Sequence, residues 1–409
     1  MKDFFKKYHQ GVWWYRTTSY DFPFDPMEIQ KDLGMTYATL PEHIHYGKTG
    51  KEEANLDKYI NRAYELGMPT LYIDRAFYHN RAWAKPGLEK ARKRLQLIKG
   101  QYGDKISGIY IVDEPWWGRS DEHKAMDECK RYNEMIREEA PEYWSYIALL
   151  GLHDRYKQAK IDLEDYVNTV HPDFLLYNVY SQMMAEDFER EQGIAWFYHN
   201  LYVFTEIGKK YGIPVWASPM CSSCWMFRKP SQEDYRWQLN VMAAHGIKGF
   251  VWYHLQETAI HPSQGVAGSP LDGFNQKSPY YYWFQHEVKS FQRCVAEKLE
   301  DFELQEVYHW MFRYGNYKAW EYAEDDYIED VRSVYNRHLI ISRFADKDGR
   351  QRVMIVNGDQ TRNGNFSIKF KGDYAKYNVS NESGYLAPGG MRIIDLFDAP
   401  EDPADYIPD

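Results

Sequence analysis

Two adjacent acidic residues end an apolar run of strand character in the stretch SGIYIVDEPWWG. Asp113 and Glu114 are followed by Pro115, which stiffens the turn, and by Trp116. A carboxyl group beside tryptophan is disfavoured in its charged form, so we expect the pKa of Glu114 to rise toward the value that a general acid needs at neutral pH. The structural alternative is that the two acids cap the N-terminus of a following helix.

The elements that must position these acids are eight predicted short strands, separated by amphipathic helices. Several of the strands are almost continuously apolar, as parallel strands covered on both faces are. One predicted helix ends at Gly67, and another opens with Ser120 and stops at Pro141. The predicted strands begin at Gly11, Met35, Pro69, Ser107, Ser145, Asp173, Ile213 and Ile247.

Eight such units over about 290 residues predict an α/β fold of the (β/α)8 TIM-barrel type, whose usual length is about 250 residues plus insertions. An open doubly wound sheet usually has fewer strands and a glycine-rich first turn, which the first predicted strand lacks. From about residue 302 the pattern changes to period two, with turn residues such as Lys347-Asp348-Gly349. We therefore predict a barrel over residues 1–300 and a C-terminal antiparallel β-sandwich over residues 301–409, with a structural role favoured for the second.

The catalytic groups of a TIM barrel lie at the C-terminal ends of its strands, so those ends define the candidate site. Aromatic residues there can stack on the apolar face of a sugar ring, although tryptophans within strands are as often core residues. Asn178 and Ser218 also stand near strand ends, and the ends carry no cluster of metal ligands, so no metal is predicted. The candidate substrate-binding residues are Arg16, Glu42, Asp74, Trp116, Tyr177, Tyr180, Trp216, Trp252, His254 and Glu257.

The composition narrows the class of partner. A formal net charge of −10 and the lack of a long basic block argue against nucleic acid, because phosphate contacts need clustered Lys and Arg. Aromatic residues make up 17% of the chain, with 36 Tyr and 14 Trp, which points mildly toward carbohydrate. No apolar run is long enough to predict a membrane span. We expect the chain to be cytoplasmic as written, or exported if a signal peptide has been removed; its oligomeric state is left open.

The four cysteines predict no metal or redox site. Cys221 and Cys224 have the spacing of such a site, but zinc would need a second pair nearby, and Cys129 and Cys294 lie far away in the sequence. We expect free thiols.

Over about residues 10–297 the chain resembles the large superfamily of barrel glycoside hydrolases in which Asn-Glu-Pro ends strand four and the Glu is the acid/base. The stretch Asp113-Glu114-Pro115 matches this motif, with Asp in the place of Asn. The stretches RWQLNVMAAHGIKGFVWYHL and PYYYWFQHEVKSFQ also resemble sugar-degrading barrel proteins with a C-terminal β-domain. The resemblance implies a carbohydrate substrate, Glu114 as the acid/base and Asp113 as its partner, with no cofactor, since this chemistry is carried by carboxyl groups.

The sequence departs from the superfamily at strand seven, where retaining members carry a nucleophilic Glu and IPVWASPMCSSCW has none. One interpretation is substrate-assisted hydrolysis of a 2-acetamido sugar, as in β-N-acetylhexosaminidase-like enzymes. Asp113 would then hold the acetamido nitrogen while Tyr177 or Tyr180 donates to its carbonyl, and YNVYS resembles the sixth strand of chitinase-like and hexosaminidase-like barrels. The chitinase pattern itself is not met, because Val112 stands where it has an acid.

Other interpretations stay open. Asp74, Glu42 or Glu257 would supply the second carboxylate of a two-carboxylate mechanism, or the barrel would bind sugar without cleaving it. A lyase or isomerase acting on a sugar acid is a further alternative, with Arg16 and His254 among its candidate ligands. The favoured prediction is a glycoside hydrolase acting on oligo- or polysaccharide.

Overall fold

The computed structural model divides into two compact units, one of residues 1–232 and 247–289 and the other of residues 233–246 and 290–409. The division into a barrel domain of residues 1–300 and a β-sandwich domain of residues 301–409 stays a prediction. The residues that the structure describes are 4–13, 22–41, 50–77, 87–115, 122–151, 162–184, 190–224, 226–257, 266–311, 314–333, 336–372 and 384–397.

The first unit contains an eight-stranded parallel barrel, which confirms the predicted fold. Its strands are β1 (His9–Val12), β2 (Ala38–Thr39), β3 (Thr70–Tyr72), β4 (Ile106–Asp113), β5 (Trp144–Leu150), β6 (Leu175–Asn178), β7 (Val215–Ser218) and β8 (Gly249–Trp252). Each strand from β2 to β7 pairs in parallel with the strand that follows it in the chain, and β8 pairs in parallel with β1. The backbone N–H of Thr36 donates to the Gln10 carbonyl at 2.9 Å, which brings the chain before β2 against β1 and nearly closes the ring.

Eight helices alternate with these strands in the described part of the chain. They are α1 (Pro26–Asp32), α2 (Gly50–Glu65), α3 (Leu88–Tyr102), α4 (Glu122–Glu139), α5 (Leu163–Val170), α6 (Arg190–Tyr211), α7 (Gln232–Ala244) and α8 (Pro279–Phe291), the last extended by a π-helical turn, Gln292–Ala296, and a short segment, Glu297–Leu299. Asp25 begins α1 by accepting hydrogen bonds from the N–H groups of Met27 and Glu28, and Pro26 occupies the first helical position. None of the helices described is both long and apolar enough to cross a lipid bilayer.

Large aromatic side chains fill the barrel interior. Trp144 and Trp216 are fully buried there, with ring centroids 5.8 Å apart. Gly108 and Gly249 stand where a Cβ atom would overlap these rings, Gly108 against Trp144 and Gly249 against Trp216. Because a glycine stands beside each tryptophan, the side chains of neighbouring strands interdigitate at the packing density of a protein core.

The second unit is built mainly of two sheets. One has the order β10-β9-β12-β13-β16 and the other β11-β14-β15; the pairs are antiparallel except β9 with β10. The strands are β9 (Glu303–Trp310), β10 (Lys318–Ala319), β11 (Ile328–Arg332), β12 (Leu339–Ala345), β13 (Gln351–Asn357), β14 (Gly364–Phe370), β15 (Gly384–Leu386) and β16 (Met391–Asp395). Apolar residues of both sheets, such as Ile341 and Ile368, form one core. The predicted turn at 347–349 joins β12 to β13, with Gly349 in the left-handed region at φ 82°.

Residues 233–246, which include most of α7, belong to this second unit. The indole N–H of Trp237 donates to the Gly358 carbonyl at 2.8 Å, and Asn240 donates to the Gly389 carbonyl at 2.9 Å. Both bonds connect the helix to loops beside strands β13 and β16. They explain why a segment that lies between two barrel strands in the sequence packs with the C-terminal strands.

Three buried histidines form a hydrogen-bonded chain in the second unit. Nδ1 of His245 lies 2.6 Å from the Val241 carbonyl, Nε2 of His245 lies 3.0 Å from Nε2 of His309, and Nδ1 of His309 lies 3.0 Å from Nε2 of His338. All three can be satisfied together when each imidazole is neutral and donates one proton along the chain. Burial lowers the pKa of His245 to about 4 and that of His338 to about 3, and it lowers the pKa of His309 as well.

Candidate active site

A β-bulge aims Asp113 into the barrel. Strand β4 pairs with β5 through Tyr110 opposite Tyr146, then shifts register, so that Asp113 lies opposite Ala148. Tyr146 and Ala148 both belong to the barrel core, and partners across a parallel pair face the same side of the sheet. The extra residue, Ile111, therefore turns Asp113 inward, where strict alternation from Tyr110 would have turned it outward.

Glu114 follows directly in a constrained backbone conformation. Its φ is 44°, which is rare for a residue with a side chain, and its N–H donates to the Ala148 carbonyl at 2.7 Å. Such a conformation costs about 1–3 kcal/mol and tends to occur where a side chain must be aimed at a site. Both Asp113 and Glu114 are partly exposed. The two acids therefore stand at the C-terminal end of β4, within reach of solvent.

Asn178 joins the two acids. Its side-chain amide nitrogen donates to Oδ1 of Asp113 at 2.9 Å and, more weakly, to Oε1 of Glu114 at 3.4 Å. Asn178 ends β6, where it pairs with Leu150 on one side and Ser218 on the other. In β6 it is two residues beyond Leu176, which lies in the barrel core, so its side chain faces inward.

A hydroxyl pair lies beside this group, at the end of β7. The Ser218 hydroxyl donates to the Val251 carbonyl at 2.7 Å and lies 3.1 Å from the Tyr180 hydroxyl. Because Ser218 has one proton and gives it to Val251, Tyr180 is the donor of the second bond. No carboxylate ends β7: the last residue of that strand is Ser218. The departure from the superfamily pattern at this strand therefore persists in the structure.

Aromatic rings form a second cluster at the ends of the barrel strands. We call Trp13, Tyr180, Phe227 and Tyr253 the aromatic wall, because all four pack in one apolar cluster with residues that include Met183 and Met220. The Tyr180 ring lies 5.5 Å from that of Tyr253 and 5.7 Å from that of Phe227. Trp13, which follows β1, lies 5.0 Å from Tyr110 in the barrel. The acid pair thus follows β4, whereas the aromatic wall is built from residues that follow β6, β7, β8 and β1.

Three of the predicted sugar-binding aromatics lie in the core, not at this mouth. Trp216 is fully buried among Phe5, Phe174 and Trp144. Trp252 donates its indole N–H to Gln10 at 2.7 Å and packs on Phe284 of α8. Tyr177 stacks on Phe204 of α6 at 4.2 Å. Trp252 and Tyr177 point outward to the helices because they alternate with inward-facing neighbours. Of the two tyrosines predicted from the sequence, Tyr180 is therefore the one that lies at the mouth.

Asp74 is a structural anion. It is fully buried, and its Oδ2 accepts from Nε of Arg94 at 2.9 Å and from the Tyr72 hydroxyl at 3.0 Å, while Oδ1 accepts from the Ala76 N–H. The sequence offers Arg75 as a neighbouring cation, but the observed ion pair reaches across to α3. A carboxylate held by these partners is not free to act as the second catalytic group.

His254 and Glu257 stabilise the loop after β8. His254 is fully buried, and its ring Nδ1 lies 2.6 Å from the Gln256 carbonyl. The backbone N–H of His254 donates to the Ser222 hydroxyl at 3.1 Å. Oε1 of Glu257 accepts from the Gly268 N–H at 2.7 Å. The remaining predicted site residues, Arg16, Glu42 and Trp116, lie outside the described residues.

Sequence reasoning assigned no role to Asn178 or Ser218 in binding or catalysis, although both were noted at strand ends. The usable signal was a polar residue closing an otherwise apolar strand, as in LLYN of β6 and VWAS of β7. In a strand buried on both faces, a polar side chain finds hydrogen-bond partners most easily at the open end of the barrel, so its position there indicates the site.

The thiols near the site are not nucleophiles at neutral pH. Cys221 and Cys224 are buried and are not joined in a disulfide bond. Burial raises the pKa of the Cys224 thiol to about 12 and raises that of Cys221 well above its usual range, and only a thiolate attacks or binds metal efficiently. Within the ranges that the structure describes, no three or more His, Cys, Asp or Glu side chains are grouped to hold a metal ion.

No model of a protein family matches the sequence, and no curated protein matches it. Solved structures do match the fold. The β-galactosidase from Bacillus circulans sp. alkalophilus matches 74% of this chain and 58% of its own, with a TM-score of 0.56 and 11% identity. The cold-adapted β-galactosidase from Rahnella sp. R3 matches 74% and 58%, with a TM-score of 0.54 and 12% identity. A GH42 β-galactosidase from G. stearothermophilus, solved as a catalytic mutant, matches 70% and 57%, with a TM-score of 0.55 and 12% identity.

The chain spans less than three fifths of the length of each of these three enzymes. At such identities the similarity shows a shared fold. That fold is the (β/α)8 TIM barrel.

Proposed function

We propose that this protein is a glycoside hydrolase that cleaves oligo- or polysaccharide bonds, with Glu114 as the general acid/base and Asp113 as its anionic partner. The observation that carries the proposal is the placement of both carboxyl groups at the C-terminal end of β4, where they share the Asn178 amide as a hydrogen-bond donor. Additional support is the fold, which is shared with β-galactosidases.

The chemistry follows from these groups. A sugar ring that stacks its apolar C–H face on the aromatic wall presents its glycosidic oxygen toward the acids. Protonated Glu114 gives its proton to that oxygen as the C–O bond breaks, and ionised Asp113 stabilises the positive charge that develops on the sugar or binds a ring hydroxyl. The Glu114 carboxylate then removes a proton from the water that completes hydrolysis, which restores the acid.

A second candidate is substrate-assisted hydrolysis of a 2-acetamido sugar, and a specific observation favours it. The end of β7 carries Ser218 in place of a carboxylate, and the Tyr180 hydroxyl lies beside it. In this mechanism the acetamido oxygen of the substrate attacks the anomeric carbon, Asp113 binds the acetamido N–H, and Tyr180 donates to the carbonyl. Tyr180 would exchange its bond to Ser218 for one to the substrate.

The test is hydrolysis of a panel of nitrophenyl glycosides that includes galactosides, other plain sugars and 2-acetamido sugars. Hydrolysis of any member by the wild type, with loss of turnover in Glu114→Gln, supports a glycoside hydrolase. Sugar binding without turnover on these and on oligosaccharides favours a non-catalytic carbohydrate-binding barrel and rejects the proposal.

The same panel separates the two mechanisms. Substrate-assisted hydrolysis predicts turnover confined to the 2-acetamido sugars and strongly reduced in Asp113→Asn and in Tyr180→Phe. Tyr177→Phe is the matched control, because the Tyr177 hydroxyl is buried behind the strand and has no hydrogen-bond partner among the residues that the structure describes. Turnover of plain sugars instead favours the first mechanism, with Asp113 as the anionic partner of Glu114.

A further inference from the structure

One neutral amide serves both carboxyl groups of the acid pair. The Asn178 side-chain NH2 has two protons, and it donates at 2.9 Å to Asp113 and at 3.4 Å to Glu114. Ionised carboxylates only accept, so the nitrogen end of the amide must face them. The two accepting oxygens can be no further apart than the sum of these two distances, which places them where like charges repel.

The backbone of Asn178 is well suited to hold such a donor. It pairs with β5 on one side and β7 on the other, and its carbonyl accepts from the Gly151 N–H at 2.9 Å. A donor whose backbone is paired on both sides keeps its place when the substrate enters, whereas Asp113 pairs with Ala148 of β5 and Glu114 lies in the turn that follows.

The unequal distances divide the roles of the acids. The shorter bond favours Asp113 as an anion, because a hydrogen bond to a charged acceptor is the stronger kind. The longer bond to Glu114 is the weaker of the two, so Asn178 opposes protonation of Glu114 less than protonation of Asp113. A lysine or arginine in the same place would fix both acids as anions, whereas a neutral amide orients them without cancelling their charge.

We infer that Asn178 is a positioning residue that holds Asp113 and Glu114 in register and keeps Asp113 as the anionic partner. This inference rests on the proposed function for its consequence in catalysis. It assigns Asn178 no contact with the reacting atoms.

The kinetic test compares Asn178→Ala with Asn178→Asp on the best substrate of the panel. We expect Asn178→Ala to lower kcat about 100-fold, the cost of a small misplacement of catalytic groups, with KM changed only a few-fold. Asn178→Asp keeps the shape of the side chain but replaces the donor by a third acceptor beside the two acids, so the loss of kcat should be larger in this variant. Wild-type turnover in either variant overturns the inference.

The matched control is Asn133→Ala. Asn133 is fully buried, whereas Asn178 is half-buried, and it donates at 2.8 Å to the Val170 carbonyl. Its removal should lower thermal stability and leave kcat of the folded protein unchanged. A loss of kcat in this control equal to that of Asn178→Ala would show a general effect of removing a buried amide and would overturn the inference.

A structural readout separates this inference from the proposed function. Crystal structures of wild type and Asn178→Ala should show the two carboxyl groups moved apart in the variant. If they keep their places, Asn178 does not position them, even if the wild type cleaves glycosides. If they move apart while the wild type cleaves no glycoside, the positioning role stands and the proposed function fails.

Discussion

Asp113 lies opposite Ala148 in the pairing of β4 with β5, and Ala148 faces the barrel core. This pairing exists because β4 has one residue more than its partner between Tyr110 and Asp113. The consequence is that the first acid of the pair points into the barrel, beside Asn178, and that Glu114 follows in the turn. A local irregularity of one strand thus determines which side of the sheet carries the candidate catalytic group.

Tryptophans at the mouth and in the core should respond differently to the same substitution. Trp13→Leu removes a half-buried ring of the aromatic wall, so we expect KM for the sugar to rise about tenfold with the fold retained. Trp216→Leu creates a void in the barrel core, and we expect a loss of about 3 kcal/mol in the free energy of unfolding with KM unchanged. Enzyme kinetics and urea unfolding of the two variants check this. A larger KM effect for Trp216→Leu would contradict the assignment.

These tryptophans also show why the sequence predicted the fold better than the site. The eight strand starts, the helices between them and the turn at 347–349 follow from periodicity and turn residues, which are local. Local sequence does not determine which tryptophan faces a ligand. Strands β7 and β8 are buried on both faces, so their apolar pattern does not distinguish the lumen side from the helix side.

The acid pair shows a second limit of the same kind. The motif Asp-Glu-Pro located the pair in the sequence, but strict alternation from Tyr110 would have turned Asp113 outward. The bulge that reverses this depends on how β4 pairs with β5, which a single sequence does not reveal. The partner Asn178 lies about one quarter of the barrel away from β4, so no sequence spacing relates it to the acids.

Asp74 should prove structural. Asp74→Asn leaves the largely buried Arg94 without its counterion, and we expect a loss of about 3 kcal/mol or more in the free energy of unfolding, with kcat of the folded protein retained. Glu65→Gln is the control, because it removes an exposed partner of Arg62 and should cost well under about 1 kcal/mol. Loss of turnover in a folded Asp74→Asn variant would return Asp74 to the list of catalytic carboxylates.

The histidine chain predicts a specific loss of stability in acid. The pKa values of His245, His309 and His338 are lowered in the folded state, so the unfolded chain binds more protons as the pH falls below its ordinary histidine pKa of about 6.5. The neutral histidines contribute to the free energy of unfolding above that pH, and the contribution is lost below it. Each histidine that stays neutral in the folded state costs up to about 1.4 kcal/mol per pH unit. The loss ends at the folded pKa, which is about 4 for His245 and about 3 for His338.

Urea unfolding between about pH 8 and about pH 5 measures this effect. His309→Asn should be less stable than wild type at the higher pH and should show a shallower dependence on pH, because one titrating group is gone and the chain is interrupted. The exposed His199 provides the control variant, His199→Asn, whose profile should match wild type. Parallel profiles for wild type and His309→Asn would show that the chain does not carry the acid sensitivity.

The most direct measurement of the central claim is the leaving-group dependence of Glu114→Gln. If Glu114 protonates the departing oxygen, the variant should lose about 100-fold or more in kcat/KM on glycosides with poor leaving groups and far less on dinitrophenyl glycosides, whose leaving group needs no proton. Equal losses on both kinds of substrate, or no loss on either, would contradict the assignment of Glu114 as the general acid.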